Sequence, residues 1–365
     1  MRRVLYCAST VSHINNFHLP YLKAMKDLSY EVHVVVDKET QIRFADKVFG
    51  MAFDKSLLSL KNFIAIFLTI KLLDKYKYEK IITNTTLAGV IVRVATLFMK
   101  NRPRIYHIVH GYIFNDDSGI KKYFYLIPEK ITSKVSDVVI VMNQEDYGIA
   151  KKYKLFKDKL YYIDGMGVDP SRFKLVTSEE KVAYKRKLGF SEEDFLFVYV
   201  AEFSKRKNQK MLIKAFSKCD IENAHLLLAG DGKMLDYCKR LAQKLDKKGR
   251  IHFLGYVNDV TSLYCACDCA VSTSKAEGLP FNIIEALGCG LPVIASDIKG
   301  HRELVENEEN GLLFKINDNN CLKQKLKRAY NFGYTQLKQF IDRNCKKAAN
   351  YSLDALYDKI VNILS

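Results

Sequence analysis

Glu277 and Glu285 stand with seven residues between them, and Gly278-Leu279-Pro280 follows directly after the first. Proline fits the first position of a helix, so the run predicts a helix beginning near Pro280. Glu277 then lies in the preceding loop, and Glu285 just over one turn inside the helix. The opening amides of Leu279, Phe281 and Asn282 would point out of the helix N-terminus, a ready anion site. Carboxylates accept hydrogen bonds from hydroxyls, while backbone amides hold phosphate. A carboxylate on either side of an amide cradle therefore suits a phosphorylated, polyhydroxylated ligand. An isolated pair of glutamates at this spacing is usually only solvated. Here the glycines, the proline and the apolar run that follows favour the binding reading.

Such residues need strands and helices to aim them, and the chain supplies both in alternation. Val4–Ala8, Val32–Val36, Lys80–Thr83, Ile105–Val109 and Val138–Val141 read as strands of a buried parallel sheet. Amphipathic stretches at Phe17–Leu28, Leu58–Tyr76, Leu87–Met99 and Lys121–Val135 fall between them. The rhythm pauses where Gly165, Gly167 and Pro170 sit close together, then restarts. The second series runs Phe195–Ala201, Ala224–Ala229, Ile251–Leu254, Cys269–Ser272, Pro292–Ala295 and Gly311–Phe314. This βαβ pattern predicts an α/β chain of two Rossmann-like domains, 1–166 and 167–350. A terminal helix over 351–365 is expected to pack back on the first domain. Ligands of such sheets bind beyond the carboxyl ends of the strands, so an inter-domain cleft is the expected site.

Composition narrows the class. The 365 residues are 48% hydrophobic and 27% charged, which excludes a disordered, collagen-like or disulfide-stapled chain. The formal charge of +17 is concentrated early: residues 1–163 hold 26 Lys+Arg against 15 Asp+Glu. That excess points to an anionic partner such as phosphorylated ligand, membrane surface or nucleic acid. No nucleic-acid motif accompanies it, so nucleic acid is not an expected partner. Nine scattered cysteines read as free thiols in a reducing compartment. After Met-Arg-Arg, the run Val4–Ala8 is too short for a signal h-region and fits a strand. No run reaches the ~18 apolar residues of a membrane span.

The segment SKAEGLPFNIIEALGCGLPVIASDIKGHRELVENEENGLLF (274–314) resembles the retaining glycosyltransferases of family 4. AEFSKRKNQKMLIKAF (201–216) is similar to that family's second-domain phosphate loop, and LLLAGDGKM (226–234) and HFLGYVNDV (252–260) follow in order. HINNFHLPYLKAMKDLSYEVHVVV and IVHGYIF resemble the branch that builds bacterial capsular and exopolysaccharide units. The resemblance implies a GT-B fold of two facing Rossmann domains, the first binding acceptor and the second nucleotide. It implies that Glu277 holds hydroxyls of the transferred sugar and Glu285 those of the ribose. Lys207, with Arg206, would neutralise the diphosphate, and His110 would lie against the donor sugar as part of the catalytic set. Gly278, Leu279, Pro280, Phe281, Asn282 and Tyr256 complete the implied donor contacts, and His13 and Asn16 lie on the acceptor side. An arginine common in the family is replaced here by Glu202, leaving the phosphates to Lys207 and Arg206.

The implied reaction moves a sugar, from a UDP-sugar, to a lipid-diphosphate-linked glycan with retention and without a cofactor or metal. The implied place is cytoplasmic, on the inner face of the cell membrane. Leu57–Tyr76, which carries Lys61, Lys71 and Lys75, could rest on anionic headgroups. Alternatives are a UDP-sugar 2-epimerase of the same fold, disfavoured by the E-x7-E loop, and a catalytically silent partner protein. Cys265, Cys267, Cys269 and Cys289 lack a paired C-x2-C spacing and are not expected to bind metal. Gly230-Asp231-Gly232 is not a GxGxxG fingerprint, which disfavours a nicotinamide dehydrogenase.

Overall fold

The computed structural model describes residues 2–54, 59–97, 99–115 and 119–365. The chain divides into two units, Met1–Gly167 with Leu356–Ser365, and Val168–Ala355. Unit 1 runs β1 (Arg3–Cys7), α1 (Val11–Phe17), α2 (Leu19–Asp27), β2 (Glu31–Val36), β3 (Lys47–Gly50), α3 (Leu60–Tyr76) and β4 (Lys80–Asn84). It continues with α4 (Thr86–Thr96), β5 (Arg104–Val109), α5 (Lys121–Thr132), β6 (Val138–Val141), α6 (Gln144–Tyr153) and β7 (Lys159–Tyr162). These seven strands form one parallel sheet, ordered β3-β2-β1-β4-β5-β6-β7. Central strands such as β4 and β6 are buried throughout, because helices cover both faces of a parallel sheet.

Unit 2 runs α7 (Ser178–Lys187), β8 (Phe195–Val200), α8 (Gln209–Phe216), β9 (Ala224–Ala229), α9 (Leu235–Leu245), β10 (Ile251–Gly255), α10 (Val260–Ala266) and β11 (Cys269–Ser272). It goes on through α11 (Phe281–Gly288), β12 (Val293–Ser296), α12 (Lys299–Arg302), β13 (Gly311–Phe314), α13 (Asn319–Tyr330) and α14 (Tyr334–Asn350). Its six parallel strands lie in the order β10-β9-β8-β11-β12-β13. The last helix, α15 (Leu353–Leu364), ends in unit 1: Lys80 Nζ donates to the carbonyls of Leu364 at 2.6 Å and Ser365 at 2.8 Å.

All eleven expected strands are present within a residue or so, but β3 and β7 were not expected. Both are sheet edges, begin with lysine and are at most half-buried, so neither carries a continuous apolar run. The expected helix Phe17–Leu28 is present as α2, and the stretch before it forms a separate short helix, α1. Pro20 lacks an N–H and its ring would clash with the carbonyl four residues back, so α1 stops and α2 starts afresh. Thr10 caps α1, accepting from the His13 amide at 3.3 Å. Leu57 and Leu58, the expected start of the lysine-bearing stretch, lie outside the described residues.

Candidate functional site

In each sheet the strand order reverses once, between β1 and β4 in unit 1 and between β8 and β11 in unit 2. Loops leaving neighbouring strands there diverge to opposite faces and open a crevice for ligands. Nearly all the candidate residues lie on those loops or just beyond them.

In unit 2 the loop after β8 carries Arg206 and Lys207, and the loop after β11 carries Glu277. Lys207 Nζ lies 2.6 Å from Glu277 Oε1, and Arg206 Nη1 lies 2.7 Å from Oε2. The Glu277 side chain is only 9% exposed. Burial, the largest single influence, pushes its acidity towards weakness. The Lys207 and Arg206 charges, with hydrogen bonds from Lys207 and Ser274, outweigh it and hold the carboxyl down at about 2.

The backbone around this triad is tightly stitched. The Tyr199 hydroxyl donates to the Lys207 carbonyl at 3.0 Å and lies 2.9 Å from Ser274 Oγ. Thr273 Oγ1 donates to the carbonyls of Lys207 and Asn208, both at 3.1 Å. Arg206 reaches across to the Ala276 carbonyl at 3.1 Å, and the Lys275 amide donates to the Arg206 carbonyl at 2.8 Å. Buried His301, on α12, supports the strand ends with Nε2 3.0 Å from Ser272 Oγ and Nδ1 2.7 Å from the Ser296 carbonyl. Gly300 must be glycine for close approach: a Cβ there would sit 2.6 Å from the Gly278 carbonyl oxygen and 2.8 Å from that of Glu277. Tyr199, Thr273 and His301 were missed by the sequence reading. His301 at least falls inside the 274–314 segment, where a histidine directly after a glycine was the available signal.

Pro280 stands at the N-cap of α11 rather than at its first helical position, and no side chain caps that end. Leu279 is buried, while Phe281 and Asn282 are partly so. Glu285, one turn in, is partly buried. Among the described residues none donates a hydrogen bond to its carboxylate. Burial pushes its carboxyl up to about 7, against the lowering pull of Arg172. Tyr256 is not brought into this group; it stands 76% exposed just beyond β10. Glu202 is also exposed, and its carbonyl accepts from Gln209 Nε2 at 2.8 Å.

Unit 1 gathers a different set. His110, just beyond β5, has Nε2 3.2 Å from His13 Nε2 and 3.5 Å from Asn84 Oδ1. His18, between α1 and α2, is fully buried, and its ring centroid lies 5.1 Å from that of His13 and 5.6 Å from that of His110. Burial above all lowers His110 and His18 well below the usual histidine range, and His13 to about 4. Asn16 is exposed on α1, three residues after His13. Thr85, directly before α4, has φ +67°, a backbone conformation rare for a β-branched residue. Its Oγ1 lies 2.6 Å from Ser9 Oγ, tying β1 to β4 at the switch point. Among the described residues, His13, His18 and His110 alone are grouped closely enough to hold a metal; the cysteines are not.

EpsD of Bacillus subtilis (strain 168), which carries a glycosyltransferase name, is 33% identical over 333 residues, 90% of this chain and 87% of its own. The chain belongs to the group 1 glycosyl transferases. The family described as glycosyl transferases group 1 matches residues 180–347. An Escherichia coli UDP-Gal:alpha-D-GlcNAc-diphosphoundecaprenol alpha-1,3-galactosyltransferase is 30% identical over 83% of this chain and 79% of its own. Sucrose-phosphate synthase of Thermosynechococcus elongatus superposes with a TM-score of 0.83 at 18% identity, covering 100% of this chain and 98% of that one. The fold is GT-B. In this group 1 glycosyl transferase, Arg206, Lys207, Glu277 and Glu285 all fall inside the family match, and the three histidines fall outside it.

Proposed function

We propose that this glycosyl transferase moves a sugar from a UDP-sugar to a lipid-diphosphate-linked glycan, with retention, in bacterial capsule or exopolysaccharide synthesis. The observation that carries the reading is Glu277 clasped by Lys207 and Arg206 at the switch point of unit 2. A nucleoside diphosphate gains charge as it leaves, and desolvated cations stabilise that charge. As the diphosphate arrives, Lys207 and Arg206 divide between it and Glu277, freeing a carboxylate oxygen for the sugar's hydroxyls. Glu285, which no donor among the described residues reaches, takes the ribose hydroxyls. Unit 2 thus binds the nucleotide and unit 1 the acceptor, where His110 serves as a neutral imidazole of the catalytic set. The anomeric carbon's bond to the phosphate oxygen breaks, and its bond to the acceptor oxygen forms on the same face. The acceptor's proton passes to the departing phosphate. The charge neutralisation is done by side chains, so the transfer needs no metal. The Escherichia coli relative, named for UDP-Gal and a diphosphoundecaprenol acceptor, supports both substrate classes.

A lipid-linked acceptor requires the enzyme at a membrane surface, here the inner face of the cell membrane. No helix among the described residues is long and apolar enough to cross a membrane. Instead α3 exposes Leu60, Phe63, Ile64, Phe67 and Leu68, and α5 exposes Tyr123, Phe124, Ile127 and Ile131. Exposed Lys61, Lys71, Lys75, Lys130 and Lys134 lie on or beside the same two helices. Apolar faces rimmed by lysine suit an anionic headgroup layer, each cation contributing about 1 kcal/mol near the surface. Co-sedimentation should show binding to anionic vesicles and release by salt; equal binding to neutral vesicles removes the electrostatic part.

The reading is tested by offering purified enzyme a panel of nucleotide sugars. One UDP-sugar should raise the melting temperature and be slowly hydrolysed, and with a lipid-diphosphate glycan should give a product of retained configuration. Interconversion of the sugar without release would instead identify an epimerase, and no turnover of any donor a silent partner.

A further inference from the structure

His13, His18 and His110 come from three places in unit 1, the middle of α1, the break before α2 and the end of β5, yet their ring nitrogens converge. One nitrogen from each lies within 4.8 Å of those of the other two. Nε2 of His13 and Nε2 of His110 are 3.2 Å apart. Tetrahedral zinc with bonds of ~2.0–2.1 Å sets its ligand nitrogens about 3.3 Å apart, so this pair already has the required spacing.

His18 supplies the independent observation. It has no exposed surface, and among the described residues neither Nδ1 nor Nε2 has a hydrogen-bond partner. Buried polar groups are nearly always satisfied, and an orphan points to an ion or water missing from the account. Its ring stands against both other imidazoles, with the buried Tyr6 ring 6.3 Å away on another side. A hydrogen-bonded pair of histidines would explain His13 and His110 but leaves both His18 nitrogens idle.

We infer that His13, His18 and His110 form a binding site for a borderline divalent cation of the zinc class. Three imidazole nitrogens are the ligand type such ions prefer over calcium or magnesium. Three protein ligands leave a fourth position, and Asn84 Oδ1, 3.5 Å from His110 Nε2, lies beside the group. The ion would pin α1 to the end of β5. It would also occupy the His110 nitrogen, so the loaded enzyme should turn over more slowly than the metal-free one. The site itself does not depend on the proposed transfer reaction and is tested by binding alone.

Metal-free full-length protein is titrated with Co2+ and followed by visible absorption, then challenged with Zn2+. The expected result is one tetrahedral cobalt per chain, with nitrogen and oxygen ligands and no thiolate, displaced by zinc. His13→Gln, a half-buried position that should not threaten folding, and His110→Gln should each weaken binding by more than the roughly 10–100-fold typical of losing an outer-shell partner. Absence of a tetrahedral spectrum in the wild-type protein overturns the site. So does equal binding by both variants, or a thiolate-to-cobalt charge-transfer band, which would place the ion on cysteines.

Discussion

The switch points of the two sheets share a topology and differ in chemistry. At the β8–β11 reversal, three charged groups hold one another: Glu277 between Lys207 and Arg206. At the β1–β4 reversal, with β5 alongside, three imidazoles meet, all kept neutral by burial. Identical strand ends have thus been fitted for opposite tasks, one to meet multiple negative charge and one to present uncharged nitrogens. The difference comes from the loops, since the strands at both reversals are largely buried alike.

The largest effects should come from dismantling the charged side. Lys207→Ala leaves a desolvated carboxylate with one cation and should lower turnover about 10²–10³-fold, as does losing a transition-state donor elsewhere. Glu277→Ala should also lower turnover strongly, yet spare UDP affinity, because the cations remain and the lost partner is the transferred sugar. Glu285→Ala should weaken UDP itself by about 1.5–3 kcal/mol in calorimetric titration, as a charged acceptor for the ribose is gone. If Glu277→Ala abolishes UDP binding and Glu285→Ala leaves it intact, the two carboxylates have exchanged roles.

A smaller effect separates the same two carboxylates by pH. Glu277 is held down to about 2, below its ordinary 4.5. Its ion pairing therefore stabilises the fold above that ordinary value and is lost as pH falls towards 2. Glu285 is raised to about 7. Its contribution is intact below 4.5 and is lost as pH rises through 7, because the folded chain must then hold a poorly solvated charge. Melting curves should accordingly show Glu277→Gln destabilising at neutral pH, with the difference shrinking in acid. Glu285→Gln should stabilise the ligand-free protein at pH 8 and match wild type near pH 4.5. Parallel pH profiles would show that the two sites do not differ in solvation as described.

The two regions also differ in how far sequence exposes them. The charged site was readable because its parts are local: Glu277, Glu285 and Gly278 to Pro280 sit within nine residues, and the Lys207 loop leaves a neighbouring strand. The histidine group joins residues 97 positions apart across the β1–β5 distance of the sheet. No spacing rule brings His110 to His13, or either of them to His18. Central strands were legible from their apolar runs, while the edges β3 and β7 were not, since half-burial erases that run. The exposed apolar face of α5 was equally hidden, because amphipathicity shows that a helix has two faces and not which one meets protein.

The smallest effect tests whether the backbones at the two reversals are equally at ease. Both switch loops enter their helix through a residue with positive φ: Thr85 at +67° before α4, and Asn208 at +57° before α8. Asn208, with ψ +37°, lies in the left-handed helical region that asparagine tolerates, whereas Thr85, with ψ +146°, lies where any side chain is strained by roughly 1–3 kcal/mol. Thr85→Gly removes the strain. It also removes the hydroxyl beside Ser9, worth about 0.5–1.5 kcal/mol, and loosens the unfolded chain by about 0.4–1 kcal/mol. These opposing changes should leave stability within about 1 kcal/mol of wild type, read as a nearly unmoved midpoint in urea. Asn208→Thr places the strained residue type at the other reversal without a hydroxyl partner, and should cost about 1–3 kcal/mol. Equal responses at the two positions would mean that the Ser9 contact does not compensate Thr85. A gain of more than about 2 kcal/mol for Thr85→Gly would show strain retained at the unit 1 reversal with nothing local to offset it.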